Sequence, residues 1–185
     1  ETFWDYWVDH YQSMDQYSDQ LDKEIHTVRV FARNRCPIGC KYCISTLQLT
    51  AATGGTVPVI SGTDENLVKV LKRIIDSHPR VRTIYFTDDD FCINKRAAIR
   101  TCKKLSEEEF GGLTFMCYSR ITDITEELVI ALKKANFRLL FIGLESFSEE
   151  VLDEIGKRCN ISQIHRSLEI LQKHDFQVFF NIILT

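Results

Sequence analysis

The sequence predicts an α/β protein in which a parallel sheet is covered by helices. Short apolar segments of strand length alternate with segments whose apolar residues recur at helical spacing. Strands that are almost continuously apolar are typical of parallel sheets buried on both faces. Polar residues follow four of the predicted strands, and ligands bind at that edge of such sheets. These observations together favour a repeated strand–helix unit with one shared pocket.

Composition restricts the class of protein. The chain has 185 residues, of which 44% are hydrophobic, and its formal net charge is -3. This is an ordinary globular composition, and it gives no basic face for nucleic acid or an anionic membrane. No stretch is apolar for long enough to span a bilayer, and no signal peptide is visible. We expect a cytoplasmic protein, because the seven cysteines do not suggest a disulfide framework and thiolate ligands need a reducing compartment.

The chain divides into two predicted parts. Residues 1–26 are polar but rich in aromatic residues, with Trp4, Trp7 and Tyr11 on one helical face. We expect an N-terminal helical segment or linker that packs on the core or on a neighbouring domain. Residues 27–185 form the predicted core. Because the sequence opens without methionine and stops within an apolar run, we expect a piece of a longer protein that lacks neighbouring domains.

The first half of the core contains two predicted strands and two helices. Residues 27–33 alternate between polar and apolar side chains and include β-branched residues, which indicates a strand. Residues 44–52 can form a helix before a turn at Gly54. A clear amphipathic helix begins near Thr63, a suitable N-cap, and ends before Pro79. The second strand follows at residues 82–87.

The second half continues the same alternation. A helix at residues 94–110 ends at a glycine pair, and further helices are predicted where apolar residues recur at helical spacing. The remaining predicted strands are 113–118, 137–142 and 176–184, and the remaining helices are 125–136, 149–157 and 162–174. The core therefore has five predicted strands.

Three cysteines follow the first strand in the spacing C-x-x-x-C-x-x-C, at Cys36, Cys40 and Cys43. Closed structural metal sites usually have four protein ligands, whereas catalytic sites leave one position open. The spacing differs from zinc ribbons and from the common ferredoxin runs. It points toward an iron–sulfur cluster with an open position.

Two other readings of the cysteines remain open. The three thiols, joined by Cys92 or Cys117, could form a structural zinc site in a non-enzymatic binding module. A thiol redox protein would use the C-x-x-C pair Cys40 and Cys43, although a thioredoxin-like context is lacking. Seven cysteines, an odd number, do not suggest a disulfide framework. We expect inert, packed thiols at Cys92, Cys102, Cys117 and Cys159.

Charged residues follow three further strands. Asp88, Asp89 and Asp90 follow the second, Arg120 the third and Glu145 the fourth. We expect them to share a pocket with the cysteines, because the ends of parallel strands meet at one edge. The alternatives are a helix cap for the aspartates, a surface ion pair for the arginine and a structural role for the glutamate.

The motifs resemble those of the radical SAM enzymes. The loop Cys36-x-x-x-Cys40-x-Tyr42-Cys43 is similar to their signature. Residues 86–91, FTDDDF, and residues 141–146, FIGLES, resemble segments found where the radical SAM domain accompanies a cobalamin-binding domain. A downstream Val151-Leu152 and Lys157 complete the second pattern. The similarity covers about residues 27–185.

The resemblance implies a fold and a set of cofactors. It implies a partial (β/α)6 TIM-like barrel, of which five strands are present here. Cys36, Cys40 and Cys43 would hold a [4Fe–4S] cluster whose fourth iron binds S-adenosylmethionine (SAM). Cobalamin is a further candidate cofactor of the full-length protein.

It also implies roles for the charged residues. Tyr42 would pack near the adenine, and Glu145 would hold the ribose hydroxyls. Asp88, Asp89 and Asp90 would meet the methionine ammonium, and a buried cation does need a charged partner. Arg120 would meet the methionine carboxylate or a second substrate.

The implied activity is that of an enzyme. Reductive cleavage of SAM would give a 5′-deoxyadenosyl radical that abstracts hydrogen from an unknown substrate, with methyl transfer and cyclisation as possible outcomes. An electron donor such as a flavodoxin or ferredoxin would be the partner. Neither a nucleic acid nor a membrane is expected.

Overall fold

The computed structural model describes residues 26–54 and 58–184, which form one parallel sheet with helices. The strands are Thr27–Val30 (β1), Thr83–Phe86 (β2), Thr114–Arg120 (β3), Phe137–Glu145 (β4) and Val178–Ile182 (β5). The helices are Ile44–Thr53 (α1), Asp64–Ser77 (α2), Lys95–Glu107 (α3), Glu126–Lys134 (α4), Glu149–Glu154 (α5) and Ile161–Lys173 (α6). A 3₁₀ turn, Ile121–Asp123, follows β3.

The five strands lie in sequential order, and each pairs in parallel with the next. This order is that of an open, partial (β/α) barrel, and the predicted α/β class is confirmed. Every strand and helix predicted for residues 27–184 has a counterpart. The sheet places the C-terminal ends of all five strands at one edge, and this edge carries the cysteine loop and the charged residues.

All five strands differ from their predicted bounds, and the differences at the first and fourth strands matter for the site. β1 ends at Val30 because the next residues leave the sheet and bond elsewhere: Asn34 N–H donates to Ile60 O (3.1 Å), and Gly62 N–H donates to Ala32 O (3.2 Å). β4 extends beyond the predicted end as far as Glu145. Because of this extension, Glu145 is the last residue of β4, at the C-terminal ends of the strands.

An aromatic cluster in the sheet core supports the edge. Phe86 and Phe91 have ring centroids 4.8 Å apart, and Phe115 and Phe137 have centroids 5.3 Å apart. All four side chains are buried, and such ring pairs add to the stability gained by burial alone. Because Phe86 ends β2 and Phe91 closes the following turn, the cluster fixes both ends of the aspartate segment.

Side-chain caps begin the main helices. Thr63 accepts from Asn66 N–H (3.2 Å), which confirms the predicted cap of α2. At α3 the cap is Asn94, whose side chain accepts from Ala97 N–H (3.1 Å). The alternative in which the aspartates cap this helix is therefore wrong. Their carboxylates have other partners.

Two predictions fall wholly or partly outside the described residues. The aromatic segment 1–26 lies outside them except for His26, so the division into residues 1–26 and 27–185 stays a prediction. Gly54 has a φ of 68° and ends α1, as the predicted turn requires, whereas Gly55 is outside. Within residues 26–54 and 58–184, no helix is long and apolar enough to cross a membrane.

Candidate functional site

The cysteine loop joins β1 to α1 at the C-terminal edge of the sheet. Cys40 is buried, Cys36 and Cys43 are half-buried, and all three thiols are unpaired. Gly39 has a φ of 77°, a conformation that glycine adopts without strain, and Cys43 N–H donates to Cys40 O (3.1 Å). These features fold the three cysteines into one compact turn.

The second half of the loop is attached to the segment after β4. Lys41 N–H donates to Ile155 O at 3.0 Å, and the Lys41 side chain lies against Gly156.

Burial raises the pKa of the Cys36 thiol to about 11. In the described part of the chain, no three His, Cys, Asp or Glu side chains are arranged to hold a metal ion.

Asp88 fastens the chain just after β1. Its carboxylate accepts from the backbone N–H of Ala32 (3.1 and 3.2 Å) and from that of Arg33. The side chain is buried, and burial raises its pKa although these donors oppose the shift. Asp88 is therefore directed toward the backbone that leads into the cysteine loop.

Asp89 is the exposed member of the three aspartates. One carboxylate oxygen accepts from the backbone N–H of Cys36 (3.3 Å), and the other accepts from the Ser45 hydroxyl (2.8 Å). Ser45 lies in the first turn of α1. Asp89 thus stands beside the cysteine loop with its charge open to a ligand.

Asp90 is buried with a second carboxyl group, that of Asp123. Asp90 accepts from Cys92 N–H (3.0 Å) through one oxygen, and the other oxygen has no partner in the described structure. Burial and the nearby Asp123 raise the pKa of Asp90 to about 8. The pair therefore retains a proton near neutral pH.

The raised pKa of Asp90 predicts a pH-dependent stability. The folded state holds the Asp90 proton up to about pH 8, whereas an unfolded Asp releases it near pH 4, so the free energy of unfolding falls as pH rises between those values. Urea unfolding from pH 5 to pH 8 should show this fall. Asp90→Asn should flatten the profile, and an unchanged slope in that variant would contradict the raised pKa of Asp90.

Arg120 ends β3 and points to the same acidic pair. Its Nη1 lies 3.9 Å from Asp123 Oδ2, and 13% of its side chain is exposed. The alternative of a surface ion pair does not describe this largely buried arginine. Its Nε is buried without a hydrogen-bond partner in the described structure.

Glu145 forms a buried ion pair with Lys157. Lys157 Nζ lies 3.0 Å from Glu145 Oε1, and the Tyr42 hydroxyl donates to the same oxygen at 2.7 Å. Lys157 Nζ is also 3.3 Å from the Tyr42 hydroxyl. This arrangement ties the cysteine loop to the end of β4 through a side chain that the loop itself supplies.

The backbone at this point is unusual. Glu145 has a φ of 70°, in the left-handed region that non-glycine residues seldom adopt, and the pairing of β4 with β5 shifts between Gly143 and Glu145. The irregularity aims the carboxylate at Lys157. A Cβ on Gly143 would lie 2.7 Å from Glu145 Oε1 and 2.8 Å from Lys157 Nζ.

Gly143→Ala should therefore disrupt the ion pair. Both crowded groups are buried and bonded, so neither can move without losing its partner, and we expect a loss of about 1–3 kcal/mol in the free energy of unfolding. Urea unfolding measures the loss. Gly62→Ala is the matched control because nothing lies within 4 Å of its added Cβ. Equal stabilities of the two variants would show that Gly143 has no such role.

Two residues of this site had no predicted role. Lys157 belonged to a recognised pattern, but the sequence did not reveal that it would be buried against Glu145. Asp123 lies three residues beyond Arg120 in the 3₁₀ turn, and that spacing was its only sequence signal. Cys92 and Cys117 are fully buried in the core, as expected of packed thiols.

The site lies on a sequence that matches a known family model. The model of the radical SAM superfamily matches residues 32–185. The chain belongs to the radical SAM superfamily. The matched segment contains β2 to β5, the cysteine loop and every charged residue of the site, and β1 lies just before it. The predicted family is confirmed.

A curated relative of this radical SAM chain matches it at low identity. A protein of Pyrococcus horikoshii, "Uncharacterized methyltransferase PH0819", is 24% identical over 157 residues, which cover 84% of this chain and 32% of that protein. The chain thus spans about a third of the length of this curated relative.

Solved structures share the fold. The cobalamin-dependent SAM radical enzyme OxsB, with aqua-cobalamin and SAM bound, superposes with a TM-score of 0.68 at 17% identity, over 85% of this chain and 24% of that chain. The radical SAM methyltransferase TsrM of Kitasatospora setae superposes with a TM-score of 0.69 at 12% identity, over 83% of this chain and 30% of that chain. Methylornithine synthase superposes with a TM-score of 0.62 at 12% identity, over 98% of this chain and 52% of that chain. At these identities the likeness establishes the fold alone.

Proposed function

We propose that this chain is the core of a radical SAM enzyme that binds a [4Fe–4S] cluster and SAM at the C-terminal edge of its sheet. The observation that carries the proposal is the position of the three-cysteine loop beside the exposed carboxylate of Asp89. A second charged group, Arg120, ends β3 at the same edge.

The donor set, three thiols on one loop, fits the chemistry of the cluster, although these thiols are not drawn together as metal ligands in the described structure. Three unpaired thiols lie on one short loop whose backbone is held by Asp88, Asp89 and Ile155. Thiolates are the usual cluster ligands, and three of them leave one iron without a protein ligand. When bound, the cluster supplies the electron that cleaves SAM and so starts hydrogen abstraction. The protein's part is to hold the loop and to bind SAM.

Asp89 is the best-placed group for the methionine ammonium. Its charge is exposed, whereas Asp88 is occupied by backbone donors and Asp90 is paired with Asp123. A carboxylate fixed by two hydrogen bonds is already oriented before an ammonium arrives. We therefore assign the ammonium to Asp89, while Asp88 shapes the loop.

Glu145, Tyr42 and Arg120 complete the proposed SAM site. The bonds of Glu145 to Tyr42 and Lys157 both use Oε1, which fixes the carboxylate for the ribose hydroxyls. Tyr42 stays 42% exposed, so its ring can contact the adenine. Arg120 provides a guanidinium for the methionine carboxylate, a pairing whose geometry suits two parallel hydrogen bonds.

The wider protein is proposed to use cobalamin. The structural neighbours include cobalamin-dependent enzymes, and both TsrM and the relative from Pyrococcus horikoshii are named as methyltransferases. We therefore propose flanking domains, one of them cobalamin-binding, and methyl transfer as the first reaction to test. The electron would come from a flavodoxin or ferredoxin, and a reducing compartment such as the cytoplasm would preserve the thiolates.

The deciding experiment is anaerobic reconstitution of the full-length protein, followed by an assay for 5′-deoxyadenosine with dithionite and SAM. We expect about four irons per chain and formation of 5′-deoxyadenosine. Asp89→Asn should keep the iron content but weaken SAM binding about tenfold, because one charged hydrogen-bond partner is lost. A colourless protein with one zinc and no acid-labile sulfide would overturn the proposal in favour of a structural zinc module.

A further inference from the structure

Buried polar atoms without partners are concentrated at one place in the described structure. Six such side-chain atoms occur among the described residues. They are Arg35 Nε, Thr87 Oγ1, Asp90 Oδ2, Arg120 Nε, Thr122 Oγ1 and Asp123 Oδ2. All but the first belong to the segment after β2, to the last residue of β3 or to the 3₁₀ turn that follows it. Because such atoms are costly when left unpaired, this region is suited to accept a polar group.

Arg120 and Asp123 are the oppositely charged pair in this region. Their side chains are only 13% and 9% exposed, and their closest atoms are 3.9 Å apart. At that separation the carboxylate attracts the guanidinium without forming a hydrogen bond to it. The Nε–H of Arg120 has no hydrogen-bond partner among the described residues, while the nearby carboxylate restrains the direction of the side chain.

The 3₁₀ turn explains why Asp123 has this position. Ile121 is fully buried, and Ile124 N–H donates to Ile121 O, so the turn is fixed on the core. Residues three apart face the same side of such a turn, which brings Asp123 under the arginine. The turn thus places the carboxylate of Asp123 beside the guanidinium of Arg120, which ends β3.

Both buried carboxyl groups of this region interact with the guanidinium of Arg120. Asp90 and Asp123 are buried, and burial raises the pKa of each carboxyl group. The positive charge of Arg120 opposes that rise at both groups. Removing the Asp123 charge would leave Arg120 without its nearest acidic neighbour in the turn.

We propose that Asp123 is a positioning residue, which holds the guanidinium of Arg120 in the orientation that binds a carboxylate group of the ligand. The inference rests on the proposed function, in which that carboxylate belongs to SAM. Asp123 acts through Arg120 and makes no contact with the ligand in this proposal.

The test compares SAM dissociation constants of the reconstituted full-length protein and its variants. Asp123→Asn keeps the shape of the side chain but removes its charge, and we expect about tenfold weaker binding with unchanged iron and sulfide content. Asp76→Asn is the matched control, because it makes the same change at an exposed residue of α2, outside the site. Wild-type affinity in Asp123→Asn would overturn the inference.

A double-mutant cycle separates positioning from a general structural role. In an Arg120→Gln background, Asp123→Asn should weaken SAM binding no further, because the residue through which it acts is gone. Additive losses would overturn the inference. If Asp123→Asn does not fold, Asp123→Glu takes its place and should retain affinity to within about threefold, since the charge is kept; a tenfold loss there would also overturn it.

The outcome for the wild-type protein distinguishes the two proposals. If the wild type fails to bind SAM, the proposed function is wrong. If the wild type binds SAM and Asp123→Asn binds it equally well, only the role of Asp123 is wrong.

Discussion

Replacing Cys40 with alanine is expected to abolish cluster binding and SAM cleavage together. Cys40 is the middle thiol of the loop and the most buried of the three, so no neighbouring thiol of the loop can replace it without breaking the turn. Two remaining thiolates are too few to hold a four-iron cluster. Iron and sulfide analysis, the visible absorption of the reconstituted protein and the yield of 5′-deoxyadenosine measure the loss.

Cys159→Ala is the control for the cysteine prediction. Cys159 is a partly buried thiol outside the loop, and burial raises its pKa although Lys157 and Arg120 oppose the shift. This variant should keep its iron. A Cys40→Ala protein that retains four irons and cleaves SAM would refute the ligand assignment.

Lys157→Met should cause the largest loss of stability among the substitutions considered. It removes the cation of a buried ion pair and leaves Glu145 as an uncompensated charge, which costs about 3–5 kcal/mol in comparable cases. The hydrogen bond of Tyr42 alone is too weak to offset that cost. Urea unfolding at pH 7 gives the change in free energy.

Two further variants make this prediction specific. Lys173→Met removes an exposed lysine that lies 2.6 Å from Glu126, and it should change the free energy of unfolding little, because exposed ion pairs contribute little to stability. The double variant Lys157→Met with Glu145→Gln should recover part of the lost stability, since no buried charge is left unpaired. A Lys157→Met protein as stable as Lys173→Met would contradict the buried pair.

Much of the fold followed from the sequence because its signals are local. Apolar strands and amphipathic helices can be recognised from spacing alone, and the parallel arrangement follows from their alternation. The edge of the sheet could be located in the same way, since Asp89, Arg120 and Glu145 each follow or end a strand. Where the strands end, however, depends on backbone hydrogen bonds from distant segments, as at β1.

The separate roles of the three aspartates could not be predicted. Asp88, Asp89 and Asp90 are identical in type and adjacent, yet one bonds to backbone, one is exposed and one is paired with another acid. These differences arise from the segments that pack against them. Asp123 and Lys157 were missed for the same reason, because burial against a distant charge leaves no local pattern.

The bond between Asp88 and the chain after β1 has a consequence for the order in which the protein matures. Ala32 and Asp88 are 56 positions apart, and parallel partners can meet only after the intervening crossover has been made. On the ribosome, the cysteines would emerge well before the carboxylate that fixes their loop. Delivery of iron and sulfide should therefore succeed only after the second strand has docked, and a cluster offered earlier would meet three thiols without a fixed geometry.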